Sequence, residues 1–156
     1  MENFRSRLVL DEQRFLFDVW RMAAAGKDMP SRKTFSPCGF GPLLPFISLI
    51  EATDGENYKV RVVGSNLRDI FSSDPKETLL KRGICGSIDT IEEIINNKNP
   101  ECGLAEIQSI SRHGQERHWL RLPLGENGIV NAVIGLDLCI GGTRAPVWAM
   151  QFKRSA

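Results

Sequence analysis

Apolar and polar positions along the chain divide it into a helical start and a strand-rich remainder. Residues 1–10 have no clean period and are expected to form a mobile arm. Asp11 opens a helical pattern that runs to about Ala25, with Gly26 as its stop. On a wheel, Phe15, Leu16, Phe17, Val19, Trp20, Met22, Ala23 and Ala24 span about 220°, while one core contact needs only about 100°. Glu12 and Gln13 fall inside that apolar arc. Two readings fit the excess. Either the helix touches its own domain and a second surface, or it is buried between its own sheet and a loop.

Pro30, Pro37, Pro42 and Pro45, with Gly39 and Gly41, keep the next stretch irregular, with one short turn at Leu43-Leu44. Ile47 to Ala52 then reads as a strand, residues 53–57 as a turn, and Tyr58 to Val63 as the returning strand. A helical stretch follows. One short helix is expected after Ser65 or Asn66 through Phe71, another over Pro75 to Lys81, and a third over Thr90 to Asn97. The third carries Ile88, Ile91, Ile94 and Ile95 as a core stripe.

Three long strands complete the pattern: Cys102 to Arg112, Gln115 to Leu124 and Ile129 to Cys139, with turns at His113-Gly114 and around Asn127-Gly128. In the last strand Val130, Ala132, Ile134, Leu136 and Leu138 share a face, opposite Asn131, Gly135 and Asp137. That alternation predicts an antiparallel sheet covered on one side. In the middle strand His118, Leu120, Leu122 and Leu124 face one way, and Arg117, Trp119 and Arg121 the other. The expected fold is α+β: a five-stranded antiparallel sheet with helices across one face and an N-terminal amphipathic helix. A single domain is expected, with an arm and helix over 1–30, a core over 43–139 and a tail segment over 140–156. In the tail Trp148, Met150 and Phe152 alternate and need cover, from a sheet edge or a second chain.

Charge narrows the partners. Twenty basic residues against nineteen acidic ones leave a net charge of +1, and no basic tract is set to neutralise phosphates. That argues against nucleic acid. No run approaches the roughly 18 apolar residues of a membrane span, and the N-terminus lacks a secretory pattern, so the chain is expected in the cytoplasm. Cys38, Cys85, Cys102 and Cys139 are spaced for neither a zinc site nor a disulfide scaffold and are expected as free thiols.

Certain residues carry a resemblance: Trp20, Gly26, Met29-Pro30-Ser31-Arg32, Pro37, Leu43-Leu44-Pro45 and Tyr58 through Leu67. These resemble a family of short bacterial PAS proteins, specifically through about residue 71 and by order of elements from there to about 139. The chain departs from that family at Ser36-Pro37, where Asp-Pro is usual, and in the loop 72–77. The resemblance implies a sensory or protein-interaction module without catalysis.

Cofactors common on this scaffold are not indicated. The flavin-linked cysteine context is absent around Cys85 and Cys102, and His113 and His118 lie at a turn and on a strand rather than where a haem ligand is expected. No phosphate loop or nucleophile elbow is present, so no cofactor and no catalytic residue are expected. Phe71, Trp119 and Arg121 are candidates to line a cavity on the concave side of the sheet, and Arg61 to pair with an anionic ligand group. The alternatives are that Phe71 and Trp119 are packing residues and that Arg61 pairs with an acidic loop residue. Arg32 is expected either near the same site or bonded to loop carbonyls. Phe15, Val19, Trp20 and Trp148 are the candidate interface for a homodimer or another signalling protein. The competing function is a small cytosolic enzyme using Cys85, Cys102 or His118.

Overall fold

The computed structural model describes residues 2–52, 58–67, 87–106 and 114–141. Phe71, Cys85, His113 and Trp148, the helices expected between residues 68 and 86, and the tail strand lie outside them. The elements are α1 (Glu2–Arg7), α2 (Asp11–Ala24), a 3₁₀ segment (Pro37–Phe46), β1 (Ile47–Ala52), β2 (Tyr58–Val63), α3 (Ser87–Asn97), β3 (Glu101–Glu106), β4 (Gln115–Glu126) and β5 (Ile129–Gly141).

The N-terminal arm is a helix rather than a mobile segment. α1 is too short to hold itself, so its order comes from tertiary contacts. Phe4 packs on Phe17 with ring centroids 5.2 Å apart, Leu8 is buried, and Arg5 donates two hydrogen bonds to Asp18. α2 then starts where Gln13 Oε1 accepts the amides of Val9 and Leu10, both at 3.2 Å. That capping contact explains a buried Gln inside the apolar arc. The helix ends as expected, with Ala25 and Gly26 in left-handed conformation (φ 51° and 84°).

All five strands join one sheet in the order β2-β1-β5-β4-β3, every neighbouring pair antiparallel. β4 and β5 meet at Asn127-Gly128, whose positive φ values (55° and 74°) suit a tight primed turn. One step along, the register shifts between Leu124 and Gly125. This bulge decides which side chains share a face. Beyond it Leu120 lies opposite Leu136, Leu122 opposite Ile134, and Trp119 opposite Asp137. A sheet without it would put Asp137 on the leucine side.

The leucine side (Leu120, Leu122, Ile134, Leu136, Ile47 and Leu49) is covered by the N-terminal segment. Trp20 Nε1 donates to the Pro123 carbonyl at 2.8 Å, and Arg7 lies close enough to Cys102, the cross-strand partner of Leu120, to act on its thiol. α3 packs against β4 and β5 and buries Ile91 and Ile94. The expectation of one covered side is corrected here. Ser48, Arg117, Val133, Asp137 and Cys139, on the opposite side, are buried as well.

Candidate functional site

The polar side of the sheet centre holds a charged cluster that alternation alone makes look solvated. Arg117 and Arg121 are two residues either side of Trp119 on β4, and Asp137 of β5 stands opposite Trp119. One carboxylate oxygen serves both: Asp137 Oδ1 accepts Arg117 Nη1 at 2.6 Å and Arg121 Nη2 at 2.9 Å. Arg121 also donates through Nη1 to the Leu120 and Leu136 carbonyls. Arg117, Arg121 and Asp137 are 1%, 3% and 0% exposed. Burial pushes the Asp137 carboxyl up, but the nearby charges of Arg121 and Arg117 outweigh it and hold the group below the usual carboxylate range. Asp137 is therefore ionised. Its second oxygen, Oδ2, is buried without a hydrogen-bond partner among the described residues, a costly state for a charged acceptor.

Two glycines make room for this cluster. A Cβ on Gly135 would stand 2.5 Å from Ser48 Oγ and 2.9 Å from Arg121 Nη1. A Cβ on Gly103 would stand 2.6 Å from Trp119 Cε2, so the indole lies across that glycine. The Arg121 guanidinium sits 5.7 Å from the Trp119 ring centroid. Trp119 and Arg121 are thus brought together, with Arg121 committed to an internal ion pair.

Arg61 is placed elsewhere. It is 46% exposed, and its Nε donates to Glu51 Oε2 at 2.6 Å, so its partner is on β1 rather than in a loop. Arg32 reaches the same carboxylate at 3.3 Å. Glu51 therefore ties the Pro-Ser-Arg turn to β2, a role the sequence reading did not give it. Asp137 and Arg117 were equally missed. Their signal was available: Gly125 beside the turn permits a bulge, and matching the leucine faces of β4 and β5 demands one.

The proposed interface residues also separate. Trp20 is 1% exposed, stacked on Phe17 at 5.7 Å and bonded to Pro123, so it belongs to this chain's own core and offers no outer surface. Phe15 is 44% exposed and Val19 half-buried. Of the cysteines, Cys102 is half-buried and burial pushes its thiol up, which weakens it as a nucleophile. Among the described residues no cluster of three His, Cys, Asp or Glu side chains could hold a metal ion, and no helix is long and apolar enough to cross a membrane.

A groove of about 650 Å³ opens away from the cluster, between the end of α2 and the β4–β5 turn. Ala23, Lys27, Pro30, Thr34, Glu126 and Asn127 line it. Its floor is fixed where Gly125 N donates to the Pro30 carbonyl at 3.0 Å.

No curated protein matches the chain. A family model described as a PAS domain matches residues 10–124, from the residue before α2 to near the end of β4. That match, with the antiparallel five-strand sheet and its helices, places the chain in the PAS domain family of sensory and signalling modules, which are generally non-catalytic.

Proposed function

We infer that the chain senses a small molecule at the polar side of its sheet and passes the bound state to a protein partner through α2. One observation carries this reading: β4 holds both ends of such a path. Arg117, Trp119 and Arg121 stand on it, and it also anchors the N-terminal segment through Pro123, which accepts from Trp20, and Gly125, which donates to Pro30. A shift of β4 therefore moves α2. The Asp137 Oδ2 atom supplies the receptor chemistry, because a hydroxyl or N–H donor meeting it would relieve a buried charged acceptor. Trp119 offers an aromatic surface beside that point. The reading needs no cofactor, nucleic acid or membrane and sets the module in the cytoplasm.

Native mass spectrometry of freshly purified protein tests it. A stoichiometric adduct of a few hundred daltons that is reduced by Trp119→Ala supports the receptor reading. No adduct, with no change in α2 amide exchange across a panel of small polyols, amides and amines, would sink it. Trp20→Phe should leave any adduct in place and remove the change in α2 exchange, since it cuts the path rather than the site.

A further inference from the structure

The fold assembles, at the β2 edge of the sheet, a cationic cluster that no single stretch of the sequence displays. Glu51 of β1 stands directly opposite Lys59 of β2, so their side chains leave the sheet on one face. Arg61 Nε donates to Glu51 Oε2 at 2.6 Å, and Arg32 Nε, from the Pro-Ser-Arg turn, lies 3.3 Å from Glu51 Oε1. One carboxylate therefore stands among three cations drawn from two strands' length of chain and a turn.

A bulge in β2 makes the arrangement possible. The register passes from Leu49 opposite Val62 to Ile50 opposite Val60, which leaves Arg61 out of the ladder. In an unbroken ladder Arg61 would stand opposite Leu49, a residue with 0% exposure, and its charge would be driven into the core. The extra residue gives that place to Val62, which packs against the core, and frees the Arg61 guanidinium to reach Glu51.

Glu51 does not satisfy the groups it gathers. Arg32 Nε is buried and makes no hydrogen bond among the described residues, so the carboxylate serves it by charge alone. Among those residues each arginine is engaged only through Nε, which leaves the Nη groups of both uncommitted. Lys59 is exposed and has no carboxylate within ion-pair distance among them. Three positive charges against one negative leave a local excess of two.

We propose that Arg32, Arg61 and Lys59 bind a doubly charged phosphate group, free or carried by a small molecule as a monoester, with Glu51 positioning the two guanidiniums. Such a group carries about two negative charges near neutral pH and three acceptor oxygens. It matches the excess charge, and paired Nη donors suit its oxygens better than a point charge does. The ligand is small because the chain as a whole has a net charge of only +1 and offers a polyanion no continuing basic track. Glu51 shares its face with Ala132, opposite to that of Asp137, so the inference goes beyond the sensing reading and stands without it.

Titration of the isotope-labelled full chain with glycerol 2-phosphate at constant ionic strength tests the proposal, read by NMR at the arginine Nε–H signals. Those of Arg32 and Arg61 should shift together and saturate with one dissociation constant, about millimolar or below. Inorganic phosphate, as the second probe, separates the two sources: equal affinity assigns recognition to the phosphate group alone, and tighter binding of the ester assigns part of it to the attached alcohol. Arg61→Gln, at a half-exposed position, should weaken binding about tenfold or more with an unchanged circular dichroism spectrum. Arg61→Lys keeps the charge but loses the paired donors, and should also bind more weakly than wild type. Shifts that grow without saturating, or full binding by Arg61→Gln, would overturn the proposal. Dimethyl phosphate binding as tightly as the monoester would overturn it too, since a singly charged diester is the chemistry of a nucleic-acid backbone.

Discussion

Replacing Asp137 with Asn removes the negative charge that two buried guanidiniums share. The shape is nearly kept and Oδ1 still accepts, so the perturbation is electrostatic rather than steric. Asp137 is 0% exposed and its partners 1% and 3%, so solvent screens little of the loss. Breaking a buried pair by deleting one partner costs about 3–5 kcal/mol, against a total stability of about 5–15 kcal/mol for a domain. In urea, with a slope near 2 kcal/mol per M, that moves the midpoint down by about 1.5–2.5 M. Circular dichroism at pH 7 reads it directly. Arg61→Ala is the control, since it breaks an ion pair whose arginine is 46% exposed, and such pairs are worth about 0–1 kcal/mol. If Asp137→Asn costs no more than Arg61→Ala, the cluster is not the electrostatic keystone of the sheet centre described above.

Acid should erase that difference. Asp137 titrates below its unfolded value, so its contribution is complete above the ordinary carboxyl range near pH 4 and drains as pH falls through the lower folded value; the gap between wild type and Asp137→Asn should narrow in urea melts taken progressively below pH 4. Gly103→Ala drives a methyl into the Trp119 indole, and overpacking of this kind should cost about 1–3 kcal/mol, read as a lower melting temperature with altered tryptophan emission. Trp20→Phe leaves the buried Pro123 carbonyl without its donor and should cost about 1–3 kcal/mol in the same melts. An unchanged melting temperature for either variant would contradict the contact it removes.

Local chemistry made much of this fold legible. β1 and β2 fall where alternation and turn residues put them, and α2 ends at the expected left-handed pair. α1 was hidden because the buried Phe4 and, just past the helix, the buried Leu8 make too short a pattern; a neighbour's surface orders it, and no six-residue window contains that neighbour. The charged cluster was hidden for a different reason. Arg117, Arg121 and Asp137 alternate with leucines as solvated residues do, and only the Gly125 bulge sets the aspartate between the arginines. Trp20 shows the limit of a wheel, which finds an apolar arc but cannot divide it between the molecule's interior and its outside. Gln13 and Glu12 sat within that arc as apparent misfits, yet both are buried, Gln13 as a helix cap.

The indole bond from Trp20 to Pro123 joins residues 103 positions apart. During synthesis the first helices leave the ribosome long before their seat on the sheet exists. At roughly 5–20 residues per second that interval is on the order of 5–20 s. Leu16, Phe17 and Trp20 stay without cover for that time, because the strand pair that receives them is made late. The nascent chain's exposure to chaperones, and to self-association on a crowded polysome, is thereby written into where one carbonyl falls in the order of translation.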